Sequence, residues 1–345
     1  MMKAARFYGG KDIRVETVPD PQSGPGEVLV RVRAAGICGS DLHGYRAANP
    51  PSTAPRTPGH ELAGEVVGLG PDVHTLRVGD RVGIEPLVGC GECEHCAWGQ
   101  YHLCEKLEHI GGARSGGFAE LTVAPQEKAF LLPDHISYDE ASILDVLAVA
   151  VHALTIVPVE PAERVVVVGT GAIGLSIANM AALAGGRVAV VGRRQGPLDV
   201  AAEIAGAYGI DSSRVDPVGA VMEWSQGRGA DIVYEAVGGT ADTLGLSVQM
   251  AGAKGTVGIV GSFRTPQTID TRPALRRELT LAWVWSYALR RERPEFDIAL
   301  DLLARGLLKA EPLITHRFPL DRINEGFVAA DKKSEHQSIK VLVIP

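Results

Sequence analysis

No stretch of this sequence approaches the roughly 18 to 20 consecutive apolar residues that a membrane-spanning helix needs, so a membrane protein is not expected. Met1 to Gly10 lacks a basic segment followed by an apolar core, so no secretory leader is expected and the reading is a soluble, cytoplasmic protein. Charge blocks are missing too. Charged residues make up 22% of the chain and the formal net charge of −7 is spread along it, which argues against nucleic acid as a partner. Cysteine is scarce: there are five, an odd number, with four between positions 90 and 104. That is poor material for a disulfide framework in so large a chain, and it reads better as metal-binding thiolates in a reducing compartment.

What is present is enough apolar material for two cores: 345 residues with 46% hydrophobic content predict two domains. The first 150 residues carry short β-branched runs between Gly- and Pro-rich turns, and predict strands at Glu27 to Val32, Leu62 to Val67 and Arg81 to Ile84. From Arg164 the texture changes. Val165 to Val168 reads as a buried strand, Ala172 to Ala184 as a helix of small residues and Val188 to Val191 as a second strand, which is a βαβ unit. Apolar runs at Ile232 to Tyr234 and Val257 to Val260, with helices near Pro197 to Ala207 and Ala241 to Met250, continue the alternation and predict a doubly wound parallel sheet. A helix at Phe296 to Ala304 follows, and Ile339 to Ile344 suits a terminal strand that returns to the first domain.

Cys90, Cys93, Cys96 and Cys104 have the spacing C-x2-C-x2-C-x7-C. Four thiolates this close can surround one Zn²⁺ at about 2.3 Å per sulfur and leave no open position, which defines a structural site. An iron–sulfur cluster is the competing reading, but the bacterial ferredoxin run has a three-residue gap and then Cys-Pro, whereas here seven residues intervene and Glu105 follows.

The fifth cysteine, Cys38, lies in Gly36-Ile37-Cys38-Gly39-Ser40-Asp41-Leu42-His43, and Gly59-His60-Glu61-Leu62-Ala63-Gly64 follows about twenty residues later. A Cys and a His from separate loops can supply two ligands to a zinc that keeps one position open for substrate. Two acids are candidates for the third ligand: Glu61 beside the histidine, and Asp145, set in an apolar stretch where a lone carboxylate is costly unless paired or bound to metal. Each residue taken singly also fits a plain structural role, as buried thiol, core histidine or helix cap.

Gly169-Thr170-Gly171-Ala172-Ile173-Gly174 follows the first strand of the βαβ unit and opens its helix. In that context the glycines permit a tight turn and a close approach of pyrophosphate to the helix N-terminus, so Gly169, Gly171, Ala172, Ile173 and Gly174 are cofactor-binding candidates. About twenty residues on, an Asp or Glu would hold the ribose 2′-hydroxyl of NAD. Here the chain reads Gly192-Arg193-Arg194, and two guanidinium groups suit the 2′-phosphate of NADP, with NAD the alternative.

Taken together, these residues resemble the zinc-containing medium-chain alcohol and polyol dehydrogenases over essentially the whole chain. The run from Gly59 through Gly64 to Gly70 and Val73 matches the family's zinc signature without a gap, and Val78-Gly79-Asp80-Arg81-Val82 and Gly116-Gly117-Phe118-Ala119-Glu120 extend the likeness. The resemblance implies an α/β fold: a β-rich GroES-like catalytic domain, residues 1–152 and 288–345, enclosing a Rossmann-like domain, residues 153–287. It implies two zinc ions per chain, a catalytic one held by Cys38, His60 and a carboxylate and a structural one in the four-cysteine lobe. It further implies that Ser40 hydrogen-bonds the alcohol oxygen and that His43 passes its proton to water. The Gly-x-Arg arrangement resembles NADP-dependent secondary-alcohol dehydrogenases, while the Cys-Gly-Ser-Asp-Leu-His segment and Gly261-Ser262-Phe263 favour polyol or sugar dehydrogenases, with NAD as cofactor in that alternative. The expected partner is a small alcohol or ketone, and the resemblance implies a homo-oligomer, dimer or tetramer. Trp283, Trp285 and Tyr287 stand as an apolar substrate wall or, alternatively, as core or subunit interface. A protein that kept the fold without the chemistry is disfavoured, because Cys38, His60 and an acid are all present.

Overall fold

The computed structural model describes residues 1–47 and 55–345. Its contacts divide the chain into two units: Met1–Asp145 with Ala288–Arg305 and Ile314–Pro345, and Val146–Tyr287 with Gly306–Leu313. The division falls at Asp145 rather than at residue 152, within the helix Leu144–Ile156. Gly306–Leu313 belongs with the second unit because Lys309 N–H donates to Asn179 Oδ1 at 3.0 Å.

The first unit is built on a seven-stranded sheet. Its order runs Ile314–Pro319, Lys340–Ile344, Glu27–Gly36, Glu61–Leu69, Arg81–Ile84 and Ala129–Leu131, with Leu121–Pro125 pairing on Glu27–Gly36. Glu27–Gly36 alternates as a half-buried strand must: Val28, Val30 and Val32 turn inward, while Arg31 and Arg33 face water. Each fully buried valine contributes about 1.5–3 kcal/mol relative to exposure. The inner face closes on an aromatic cluster in which Phe327 meets Phe7 edge-on at 5.1 Å and Phe118 at 5.7 Å. Lys340–Ile344 returns to this sheet and lies antiparallel to Glu27–Gly36, with Leu342 opposite Gly36.

The second unit is a six-stranded, wholly parallel sheet in the order Tyr208–Asp211, Arg187–Gly192, Arg164–Val168, Ala230–Glu235, Ala251–Ile259, Thr280–Trp283. Its central strands Arg164–Val168 and Arg187–Gly192 are nearly continuous apolar runs, as strands buried on both faces are; Val166, Val168, Ala189, Val191, Val233 and Val257 are in the core. The chain winds outward in one direction from Arg164–Val168 and in the other from Ala230–Glu235. These two neighbours therefore flank the switch point at which doubly wound sheets bind their ligands.

Candidate metal centres and dinucleotide crevice

Cys38 caps the helix Gly39–Arg46, and its backbone N–H donates to Asp41 Oδ2 at 2.9 Å. His60 and Glu61 arrive where the Glu61–Leu69 strand begins, with Glu61 in register with Gly36. That pairing needs glycine, because a Cβ at position 36 would lie 2.1 Å from Glu61 Oε2. Sequence positions twenty residues apart thus converge: the ligand atoms of Cys38, His60 and Glu61 lie within 4.8 Å of one another. His60 and Glu61 are buried and Cys38 is partly so.

The donor set suits a divalent cation. Burial resists an imidazolium at His60, but the charges of Cys38 and Asp41 outweigh that and hold its pKa well above the ordinary value. Asp41 lies 3.9 Å from His60 Nδ1 and is itself buried. An acid behind a ligating histidine is the usual outer-shell arrangement that orients the ring. Burial raises the Asp41 pKa, against the lowering pull of His60.

Glu61 has a second attachment. Lys340, from the returning C-terminal strand, reaches both its oxygens, at 2.7 and 2.6 Å. Burial works against the Lys340 charge, but Glu61 and Cys38 raise its pKa above the ordinary lysine value. Asp145 is outside the compact trio. It is half-buried in the first turn of Leu144–Ile156, and its negative charge acts on His60 and on Lys340.

Ser40 and His43 lie three residues apart on one helix, a spacing that puts both on the same face. Ser40 is exposed, and its Oγ stands 3.5 Å from His60 Nε2; His43 is half-buried. His109, which the sequence reading did not single out, packs edge-on against the His60 ring at 4.9 Å, and burial followed by the His60 charge pushes its pKa down to about 4.

The four sulfurs of Cys90, Cys93, Cys96 and Cys104 also lie within 4.8 Å of one another. A tetrahedral zinc has sulfur–sulfur edges of about 3.8 Å given its bond length, so the lobe fits the ion. The thiols are polarised against each other. The Glu92 backbone N–H is the main cause that draws the Cys90 pKa down to about 6, while burial and its sister thiols push Cys96 up to about 12.

In the parallel sheet, Gly169 takes φ +119° directly after the Arg164–Val168 strand, and Gly171 caps the helix Ala172–Leu183. A Cβ at Gly169 would meet Val237 Cγ2 at 2.9 Å, across the switch point. Ala172 and Ile173 form the first turn of that helix, and Gly174 lies within it. Arg193 and Arg194 follow the end of the Arg187–Gly192 strand, Arg193 exposed and Arg194 half-buried. Burial, followed by the neighbouring Arg193 charge, lowers the Arg194 pKa. Tyr287 is fully buried, whereas Trp283 is 69% and Trp285 55% exposed, so the three aromatics do not form one wall.

Comparison with known proteins agrees with this architecture. Residues 24–134 match the alcohol dehydrogenase GroES-like domain and residues 172–305 the zinc-binding dehydrogenase domain. The chain is 34% identical to (R,R)-butanediol dehydrogenase of Bacillus subtilis, over all of both chains, and 30% identical to sorbitol dehydrogenase of the same organism, over 100% of this chain and 97% of that one. A Sinorhizobium meliloti 1021 protein solved with NADP as a zinc-binding dehydrogenase superposes with TM-score 0.88 at 34% identity, covering 100% of this chain and 99% of that one. Together these define a zinc-dependent dehydrogenase with a GroES-like and a Rossmann-like domain. The chain belongs to the zinc-containing medium-chain dehydrogenase family.

Proposed function

We propose that this protein interconverts a secondary alcohol or polyol and its ketone, with NADP as the preferred cofactor. The convergence of Cys38, His60 and Glu61 on one point carries the reading, since it places a thiolate, an imidazole and a carboxylate where a single ion reaches them all. Cys38 and His60 would be constant zinc ligands, with Asp145 and Glu61 sharing the third place. Cys90, Cys93, Cys96 and Cys104 would hold the structural zinc. When bound, catalytic zinc supplies Lewis acidity to the alcohol oxygen and the nicotinamide accepts a hydride.

The chain's own groups do the rest. Ser40 Oγ, which lies beside His60, would hydrogen-bond an alcohol hydroxyl, and His43, on the same helical face, would take the proton onward to water. Asp41 holds the His60 ring in one orientation. Gly169, Gly171, Ala172, Ile173 and Gly174 would cradle pyrophosphate at a helix N-terminus, with Arg193 and Arg194 holding the 2′-phosphate. The relatives named for butanediol and sorbitol support small diols or polyols as the substrate class. A homo-oligomer acting in the cytoplasm completes the reading.

Steady-state oxidation of a panel of diols, polyols and simple secondary alcohols, with NADP and NAD in parallel and zinc-replete protein, tests it. Turnover with NADP preferred supports the full reading. Equal or better use of NAD overturns the cofactor assignment and leaves the reaction class standing. No turnover on any member, with two zincs bound, overturns the substrate class.

A further inference from the structure

Glu235 ends the Ala230–Glu235 strand at the switch point of the parallel sheet, opposite Val168 of the neighbouring strand. It is fully buried. A carboxylate so placed is costly unless its oxygens are engaged, and the two oxygens differ sharply. Oε1 accepts from Val237 N–H at 2.8 Å, Gly238 N–H at 3.1 Å and the Thr243 hydroxyl at 2.7 Å. Among the described residues, Oε2 has no hydrogen-bond partner.

The main chain of Glu235 is equally occupied. Its carbonyl accepts from Val260 N–H at 2.9 Å and Gly261 N–H at 3.0 Å, which ties the end of the Ala251–Ile259 strand to it. The turn held by Oε1 is stitched to the same segment, because Gly239 N–H donates to Ser262 O and Arg264 N–H to Gly239 O. One residue therefore fixes two turns, 237–239 and 260–264. Val237, in the first of them, also faces Gly169 of the glycine-rich turn.

A doubly wound sheet has two mononucleotide halves. Here the half that starts at Arg164–Val168 carries the glycine-rich turn and Arg193, and the half that starts at Ala230–Glu235 is left for the other mononucleotide. We propose that Glu235 is a positioning residue for the nicotinamide half of the dinucleotide, acting by holding the 237–239 and 260–264 turns in their binding geometry. Without its carboxylate, Val237 N–H, Gly238 N–H and the Thr243 hydroxyl lose their acceptor and the 237–239 turn is released; the 260–264 turn keeps its main-chain bonds to Glu235 but loses a fixed partner at Gly239, while the glycine-rich turn and the arginines keep their own contacts. The loss therefore falls on one half of the ligand.

The inference rests on dinucleotide binding at this crevice, and fluorescence titration of the full-length protein with NADPH and NADH establishes that first. A wild type that binds neither overturns the dehydrogenase reading and this inference together. Glu235→Leu is then compared with wild type for the dinucleotide that binds and for 2′,5′-ADP or AMP, which present only the adenylate half. Loss of a shared acceptor corresponds to about a tenfold weakening. The expected result is that the dinucleotide weakens by this factor or more while the adenylate fragment stays within about twofold, and that Glu235→Gln, which keeps the acceptor oxygen, restores dinucleotide binding. Equal losses for both ligands, no change in either, or failure of Glu235→Gln to restore binding overturns the proposal. Should Glu235→Leu fail to fold, Glu235→Asp keeps the charge but draws the acceptor back from Val237 and Gly238: a selective dinucleotide loss of about threefold supports the proposal, and unchanged affinity overturns it.

Discussion

Lys340 Nζ and the Glu61 carboxylate form a two-pronged ion pair in which the lysine side chain is 5% exposed and the glutamate not at all. Glu61 also belongs to the cluster proposed to hold the catalytic zinc, so it is an acid with two possible claimants. Removing the lysine leaves an uncompensated buried charge, which typically costs about 3–5 kcal/mol. Lys340→Met is therefore expected to destabilise the zinc-free protein by that amount in urea unfolding, and Glu61→Gln added to it is expected to recover most of the loss. A single Lys340→Met variant as stable as wild type contradicts this account.

Because Glu61 is already matched by Lys340, Asp145 is the acid expected to supply ligating charge to the catalytic zinc. Asp145→Asn should weaken retention of that one zinc by tenfold or more, on the order of the 10- to 100-fold losses seen even for groups one step removed from a metal. Competition with a colorimetric chelator reads this directly. Glu61→Gln in the Lys340 background should have the smaller effect on zinc, and the reverse order would make Glu61 the principal ligand.

Much of this was legible beforehand, for identifiable reasons. The strand at Arg164–Val168, the helix Ala172–Leu183 and the strand Arg187–Gly192 were read to within a residue or two, because buried parallel strands are apolar runs and the glycine-rich turn marks the border between strand and helix. The cysteine quartet was legible because its spacing is local. Asp41, His109 and Lys340 were not assigned roles. Asp41 lies between Cys38 and His43, but its 3.9 Å approach to His60 spans nineteen residues of chain, and Lys340 meets Glu61 across 279. Contacts of that range leave no periodic mark in sequence. Glu235 was missed similarly, since a strand-ending acid looks solvated until its neighbours fold over it.

The four-cysteine lobe should be separable from catalysis. Cys96→Ser is expected to reduce total zinc from two ions to one and to lower the melting temperature, because a structural zinc contributes folding energy directly. Inductively coupled plasma measurement on the purified variant, paired with a thermal melt, checks both. Retention of both ions would show that the lobe does not use all four thiols.

Arg193 offers the sharpest test of cofactor choice. Arg193→Asp replaces attraction for a 2′-phosphate with repulsion and supplies an acceptor for a ribose hydroxyl. The expected outcome is a rise in KM for NADP of about 30-fold or more, given about 2 kcal/mol for a lost charge-assisted contact, with KM for NAD unchanged or lower. Unchanged use of NADP would release Arg193 from this role.

The returning strand Lys340–Ile344 has a consequence for synthesis. At roughly 5–20 residues per second, the 279 positions from Glu61 to Lys340 take about 15 to 60 seconds to translate. Throughout that interval the nascent chain carries Cys38, His60 and Glu61 without their counter-charge, and the parallel-sheet unit, whose strands end at Trp283, emerges in between. Until Lys340 is made, Glu61 lacks the partner that engages both its oxygens in the folded protein. Order of manufacture thus makes Lys340 the last of these side chains to be synthesised.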